Sequence, residues 1–174
     1  MKKSLLIATA GLCIALNIVL SRFLAFDPAP FVRIGLSFLA VALGSIICGP
    51  VVGGFAAAAG DVLGYALFPN GAYIPGITVS AFLSGLLLGL LLHGKKPSFA
   101  RTLFACAITG FAVEGGLNSL WLYLAIPGYT AWAIFGPRVA VQLVLVPLQA
   151  ALIYFAWRES CRIHVLGLGG AGAK

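Results

Sequence analysis

The sequence predicts an all-α, polytopic membrane protein with six transmembrane helices and both termini in the cytoplasm. Two observations lead to this fold class. The mean hydropathy is +1.09, and only 9% of the residues are charged, whereas soluble domains carry about 25%. A soluble fold of 174 residues could not bury 61% apolar side chains. Since a helix needs about 20 apolar residues to span a bilayer, the chain has room for six spans and no separate soluble enzyme domain.

The distribution of basic residues predicts the orientation of the six helices. With a cytoplasmic N-terminus, three arginines fall on the outer side: Arg22, Arg33 and Arg138. Eight basic residues fall on the inner side: Lys2, Lys3, Lys95, Lys96, Arg101, Arg158, Arg162 and Lys174. This asymmetry follows the positive-inside rule. The net charge of +7 therefore indicates a chain in a lipid bilayer and not a nucleic-acid-binding protein.

Apolar runs between turn residues place the helices in order. The first apolar run, from residue 4 to about residue 20, could be a signal peptide. It is longer than the apolar core of a usual signal peptide and lacks a clear cleavage site, so we interpret it as a transmembrane helix. The later spans are predicted at residues 34–48, 51–67, 77–92, 101–126 and 138–157. Together they form one membrane domain, 1–158. Residues 159–174 are predicted to be a cytoplasmic tail, and the glycine-rich end of this tail indicates disorder.

The segments between these spans are rich in residues that break helices. Two prolines and an aspartate favour a loop at 21–32, and Gly49-Pro50 separates the second span from the third. Turn residues fill 68–76, a basic loop covers 93–97, and an aromatic, glycine-containing loop is predicted at 127–137. Pairs of small residues four apart predict close helix packing, and they are Gly11 with Ala15, Gly49 with Gly53, Gly60 with Gly64, and Gly85 with Gly89.

The motifs of common enzymes and cofactor sites are incomplete in this chain. Residues 89–96 nearly match a phosphate-binding loop, but they end a predicted transmembrane helix and lack the final Ser or Thr. Residues 167–172 match G-x-G-x-x-G without a preceding strand or a following helix. The four cysteines show no C-x-x-C spacing, and no H-E-x-x-H motif occurs. We therefore expect no cofactor, no metal and no enzymatic activity.

Two carboxylates, Asp61 and Glu114, fall at membrane depth. Asp61 is the only charged residue between Arg33 and His93. Ionisable residues inside a membrane are costly, and they commonly mark functional sites. The alternative is that each carboxylate locks the helix bundle by pairing with an arginine or a polar neighbour. For Glu114 both interpretations stay open, whereas for Asp61 its aromatic surroundings favour function.

Aromatic and polar residues cluster in the predicted outer half of the membrane. Tyr65 lies one helical turn after Asp61 and shares its face. The other members of the set are Phe68, Tyr73, Asn118, Trp121, Tyr123, Tyr129 and Trp132, of which Tyr73, Asn118, Trp121 and Trp132 are predicted to bind the ligand. Each aromatic residue alone is typical of an interfacial belt. Beside three arginines and a buried carboxylate, the set describes a pocket for a ligand with a flat ring, N–H donors on one edge and anionic groups at the other end.

An ordered set of motifs resembles the folate-type substrate-binding subunits, or S components, of energy-coupling factor (ECF) transporters. These motifs are R-I-G-L-S-F at 33–38, Gly49-Pro50, D-x-x-G at 61–64, P-N-G-A-Y-I-P-G-I-T at 69–78, L-N-S-L-W-L at 117–122, and Pro137-Arg138 followed by Pro147. The resemblance extends from residue 1 to 157.

The resemblance implies a six-helix protein in the plasma membrane of a prokaryote that binds a vitamin from outside. Such subunits associate with a transmembrane scaffold subunit and two ATPase subunits. Small residues on the first helix form their docking surface, which here implies Gly11 and Ala15. The resemblance also implies that Asp61 binds the pterin edge of folate or a reduced folate and that Arg33 and Arg138 bind its carboxylates. Tyr73, Trp121 and Trp132 become candidates for stacking or lid contacts, and the 21–32 loop becomes the outer gate.

Three alternatives stay open from the sequence. The chain could be an S component for another vitamin or a modified base. It could also be a stand-alone secondary carrier. Such carriers commonly show internal repeats, and we find no convincing repeat between residues 1–81 and 82–154. An intramembrane enzyme is the third alternative.

Overall fold

The computed structural model describes residues 3–29, 32–69, 72–125 and 130–168. Within these ranges the chain folds into a bundle of α-helices with one short hairpin. The helices are α1 (Lys3–Arg22), α2 (Ser37–Cys48), α3 (Pro50–Leu67), α4 (Pro75–Leu92), α5 (Phe99–Ile108), α6 (Asn118–Ala125) and α7 (Ala131–Leu168). A π-helical segment, Thr109–Leu117, joins α5 to α6 into one continuous span.

Five helical stretches are long and apolar enough to cross a membrane. They are Ser4–Arg22, Pro50–Leu67, Pro75–Leu92, Phe99–Ala125 and Ala131–Glu159. The sixth, α2, is an apolar helix of 12 residues, which is shorter than the roughly 20 residues of a complete span. The described structure therefore agrees with the helical fold class and the six predicted segments, and one of these segments is short.

The chain between α1 and α2 differs from the predicted loop. It forms two antiparallel strands, β1 (Ala25–Ala29) and β2 (Val32–Gly35), that pair Ala25 with Gly35 and Phe26 with Ile34. Prolines and an aspartate indicated a loop, because proline removes a donor from the strand ladder. A two-stranded ribbon tolerates them, since each strand has one edge without a partner strand. We call the end of the bundle that carries these strands the hairpin end.

A tight corner joins α2 to α3 at the opposite end, as Gly49-Pro50 predicted. Gly49 has φ of +94°, which favours glycine, and Pro50 occupies the first turn of α3, where its missing N–H costs nothing. His93 Nδ1 lies 2.7 Å from the carbonyl oxygen of Ile46. A carbonyl only accepts, so Nδ1 donates this bond and ties the end of α4 to the last turn of α2.

Glycines allow α3 and α4 to pack with their backbones in contact. A Cβ atom at Gly85 would lie 2.8 Å from the carbonyl oxygen of Gly53, and one at Gly89 would overlap Pro50. Similarly, a Cβ atom at Gly60 of α3 would overlap the side chain of Asn17 on α1. The spacing of small residues therefore predicted this close helix packing correctly.

The apolar core fills the part of the bundle away from the hairpin end. It contains large side chains such as Leu92, Ile153 and Trp157, each no more than 2% exposed. Many apolar side chains on the outer helix faces are exposed, among them Ile7, Leu12 and Val144. An apolar exterior of this extent is typical of a surface that faces lipid or a partner protein.

Helix α7 begins before its predicted start. The sequence placed 127–137 in a loop, but residues 131–137 are helical and Pro137 lies inside the helix. Proline removes one backbone hydrogen bond from a helix, and this loss does not end α7. The predicted boundary of the membrane domain at residue 158 falls within α7. Residues 169–174 of the predicted tail lie outside the described residues, so the domain division stays a prediction.

Candidate functional site

A cavity of about 360 Å³ lies inside the bundle and is lined by residues of every helix and of both strands. Its innermost wall is apolar and belongs to the core, through Leu88, Cys106 and Ile153. Small-molecule sites in proteins occupy roughly 300–1,000 Å³. The cavity therefore has the size of a site for a small organic ligand, and its polar residues lie on two separate walls.

The first polar wall centres on Asp61 of α3. Ala57, Asp61 and Tyr65 all line the cavity, because residues four apart share one face of a helix. Thr78 Oγ1 donates to Asp61 Oδ2 at 2.7 Å, and the Tyr73 hydroxyl lies 2.9 Å from Thr78 Oγ1. Since Thr78 gives its single hydroxyl proton to the carboxylate, Tyr73 donates to Thr78. This chain of bonds fixes the orientation of the carboxylate.

Two tyrosine rings stand beside this carboxylate. The centroids of Tyr65 and Tyr73 lie 5.0 Å apart with the rings inclined at 45°, and both residues line the cavity. Within the described residues, Asp61 Oδ2 accepts the bond from Thr78 and no hydrogen bond reaches Oδ1. The wall thus combines a fixed acceptor with aromatic surfaces, which suits a flat group with N–H donors along one edge.

The second polar wall is formed by the π-helical segment and α7. Gln142 Nε2 donates to Glu114 Oε2 at 2.8 Å, and Arg138 Nη1 donates to the carbonyl oxygen of Glu114 at 3.3 Å. Arg138, Gln142 and Gln149 all line the cavity, since these positions lie near one face of a helix. This wall therefore places a guanidinium, a carboxylate and amides around the same space.

Of the eight predicted binding residues, five line the cavity: Asp61, Tyr65, Tyr73, Asn118 and Arg138. The described structure places Trp121 and Trp132 elsewhere and does not describe the side chain of Arg33. Trp121 packs on the first turn of α4, where a Cβ atom at Gly76 would overlap its indole ring. Trp132 is 82% exposed at the start of α7. Arg33 belongs to β2, and its side chain lies outside the described part of the chain.

Several residues of the cavity were not among the predicted binding residues. They include Asn17 and Arg22 of α1 and Gln142 and Gln149 of α7. The bond from Thr78 to Asp61 was not predicted either. Two signals in the sequence could have identified some of them. Arg22 is one of the three arginines predicted on the outer side, and positions 138, 142 and 149 are polar residues within an apolar run. Thr78 is one of three hydroxyl residues in the apolar helix α4, with Ser80 and Ser84, and carries no such signal.

The predicted docking residues lie on the outside of α1. Gly11 and Ala15 are both exposed, and a Cβ atom at Gly11 would meet no atom within 4 Å. Leu12, between them in the sequence, is 69% exposed. This face of α1 is exposed in the described chain and leaves room for another helix.

Comparisons with known proteins identify the family. The family model described as "ECF transporter, substrate-specific component" matches residues 5–156. The Folate transporter FolT of Clostridium novyi (strain NT) is 35% identical over 166 residues, covering 95% of each chain. FolT of Leuconostoc mesenteroides subsp. mesenteroides is 29% identical over 159 residues, covering 88% of this chain and 85% of the relative.

A solved structure gives the same result at the level of the fold. A crystal structure of FolT bound with folic acid superimposes with a TM-score of 0.82 and 32% identity, and the match covers 91% of this chain and 95% of the other. The family consists of transporter components and not of enzymes. This chain therefore belongs to the substrate-specific components of ECF transporters.

Proposed function

We propose that this chain binds folate or a reduced folate as the substrate-binding subunit of an ATP-driven ECF vitamin transporter. The observation that carries the proposal is the likeness of the whole fold to a FolT structure bound with folic acid. The cavity of about 360 Å³ supports it, because acceptors and an arginine occupy its walls. Folate matches such walls, with N–H donors on the pterin edge and two carboxylates on the glutamate.

Asp61 binds the N3–H and 2-amino donors of the pterin in this proposal. Its carboxylate is oriented by Thr78 at 2.7 Å, so it needs little reorganisation when the ligand arrives. The rings of Tyr65 and Tyr73 provide apolar contact with the pterin face. Asn118 adds an amide to the same cavity.

Arg138 and Arg33 bind the carboxylates of the glutamate in this proposal. Arg138 supports the assignment because it lines the cavity, and arginine pairs with carboxylates through two parallel hydrogen bonds. For Arg33 the support is its position in β2, two residues before Gly35, which lines the cavity. We assign the chain between α1 and α2 as the gate and Trp121 and Trp132 as contacts of the closed state.

The transporter partners follow from the family. We propose that the chain docks on a transmembrane scaffold subunit that carries two ATPase subunits, and that ATP hydrolysis drives release of the vitamin. Gly11 and Ala15 form the docking surface, and the open space beside Gly11 supports this assignment. We place the protein in the plasma membrane of a prokaryote, with both termini in the cytoplasm and the hairpin end outside, as the distribution of basic residues favours.

Identification of the natural ligand tests this function. The chain is purified in detergent from cells grown with natural vitamins, denatured, and its small-molecule contents are identified by mass spectrometry. The proposal predicts a folate in a one-to-one ratio with the protein. A different vitamin or a modified base would keep the family and overturn the ligand.

A second experiment separates the S component from a stand-alone carrier. Vesicles containing this chain alone are compared with vesicles that also contain a scaffold subunit and two ATPase subunits loaded with ATP. The proposal predicts net folate uptake only in the second set. Uptake of the same rate by the chain alone would identify a carrier.

A further inference from the structure

Asn17 of α1 is a nearly buried amide that has no hydrogen-bond partner among the described residues. The residue is only 7% exposed, and it lines the cavity. Unlike Asn118 Oδ1 and Gln142 Oε1, which are closed off from solvent, the two amide atoms of Asn17 keep some accessible surface. Buried polar groups nearly always find partners. A nearly buried amide that is open to the cavity therefore indicates a partner that enters the cavity.

Gly60 of α3 provides the space that this amide occupies. A Cβ atom at Gly60 would overlap the Asn17 side chain, and Nδ2 is the atom that it would meet first. Because α2 runs from the hairpin end to the corner at Gly49 and α3 returns, α1 and α3 both end at the hairpin end. Asn17 lies about 8 Å before the end of α1, and Asp61 lies about 9 Å before the end of α3. The amide and the Asp61 carboxylate therefore lie at the same depth on adjacent helices.

Together the two side chains offer acceptors with a donor beside them. Asp61 Oδ2 accepts one bond from Thr78, and the carboxylate keeps lone pairs on both oxygens for further donors. Asn17 Nδ2 carries two hydrogens and is the amide atom nearest to Gly60, the residue before Asp61. The negative charge of the carboxylate favours this orientation of the amide. The pair therefore matches a ligand edge on which two N–H donors stand next to an acceptor.

We propose that Asn17 is a specificity-determining residue of the site and that its NH₂ group donates a hydrogen bond to the 4-oxo oxygen of the pterin. The inference rests on the proposed folate function. On one edge of a pterin, the 2-amino group and N3–H are donors, and the oxygen at C4 beside them is an acceptor. Asp61 binds the two donors, and Asn17 binds the acceptor. The protein therefore contacts three adjacent positions of the ring, and α1 supplies the third contact.

Titration with folate is the first part of the test. Purified full-length chain, freed of ligand, is titrated with folate without ATP. Asn17→Leu keeps the number and branching of the side-chain heavy atoms but removes the amide, so it should weaken folate binding about tenfold. Thr9→Val is the matched control, because it removes a polar group from α1 outside the cavity. The control should bind folate with the affinity of the wild type.

The stretching frequency of the C4 carbonyl separates a direct contact from a structural role. Infrared difference spectra of bound folate, with and without carbon-13 at C4, identify this band. A hydrogen bond to the oxygen lowers the frequency, so the band should lie higher in folate-saturated Asn17→Leu than in the wild type or in Thr9→Val. An Asn17 that only packs α1 against α3 would lower the affinity without moving the band, and that result would overturn the inference. Wild-type affinity in Asn17→Leu would overturn it as well.

Thermal unfolding without ligand shows whether the variant has folded. If Asn17→Leu does not fold, Asn17→Val decides, because valine is smaller and also lacks a donor; a band at the wild-type frequency in that variant overturns the inference. A wild type that binds no folate refutes the proposed function itself. A wild type that binds folate, with a band that neither variant moves, refutes only the role of Asn17.

Discussion

The substitution Asp61→Asn gives the sharpest prediction about the first wall. Asparagine has nearly the same shape and keeps one oxygen, so Thr78 can still donate to it as it does to Asp61 at 2.7 Å. The bond from Tyr73 to Thr78 can also remain. The substitution removes the negative charge and replaces the second acceptor by an NH₂ group, which would face the N–H donors of a pterin.

The expected loss follows from these two changes. A hydrogen bond to a charged group contributes about 1.5–3 kcal/mol, and a buried donor left without an acceptor costs about 1–3 kcal/mol. Together, and without full additivity, they predict about 2–4 kcal/mol, which is about 30- to 700-fold in the dissociation constant of folate. The melting temperature without ligand should change little, because the contacts between α3 and α4 remain.

Isothermal titration of the purified chain with folate measures this loss directly. Thermal unfolding without ligand shows whether the variant has kept its fold, and Glu159→Gln is the matched control for loss of a carboxylate outside the cavity. An Asp61→Asn protein that folds and binds folate within threefold of the wild type would refute the assignment of Asp61 to the pterin edge.

Three further predictions concern other parts of the bundle. Arg138→Gln should weaken the binding of folate about tenfold or more, but it should leave the binding of pteroate, which lacks the glutamate, nearly unchanged. Equal losses of affinity in titrations with both ligands would contradict the role of Arg138. Gly85→Ala should destabilise the protein by about 1–3 kcal/mol in thermal unfolding, because its Cβ atom would lie 2.8 Å from Gly53; an unchanged melting temperature would show that α3 and α4 separate easily. Gly11→Leu should fill the open space on α1 and lower ATP-driven uptake into vesicles; wild-type uptake would place the docking surface elsewhere.

Much of the helical fold could be predicted from composition and from helix-breaking residues. The predicted span 51–67 differs by one residue from α3 (Pro50–Leu67), because Gly49-Pro50 stops one helix and begins the next. The predicted span 77–92 starts two residues late for the same kind of reason, since Pro75 opens α4. Helix boundaries can be predicted from the sequence where helix-breaking residues flank an apolar run, because the backbone inside a membrane must make its hydrogen bonds within a helix.

Other elements could not be predicted because local signals and tertiary packing disagree. Prolines and an aspartate indicated a loop where β1 and β2 pair, and Pro137 suggested the end of a loop although it lies inside α7. The π-helical segment Thr109–Leu117 has no signature in hydropathy, since its hydrogen bonds shift by one residue while its composition stays apolar. This segment carries Glu114. The geometry of the second wall therefore depends on a π-helix that the sequence did not predict.

The candidate site was predicted where one helix carries the residues and missed where two helices supply them. Asp61 and Tyr65 share a face because they are four residues apart. Thr78 meets Asp61 from α4, and Gln142 meets Glu114 from α7. Such pairs depend on how the helices are arranged around the cavity, which periodicity alone does not specify. The order of the helices in space therefore had to come from the structure.

The most direct test of the central claim is a titration of the ligand-free, detergent-solubilised chain, without ATP or partner subunits, against folate, riboflavin, thiamine and pantothenate. The fluorescence of its three tryptophans reports binding, and the stoichiometry is measured in the same experiment. We predict tight one-to-one binding of folate and no saturable binding of the other vitamins. A monodisperse protein that binds another vitamin, or that binds none of the four, would contradict a folate-specific cavity in this chain.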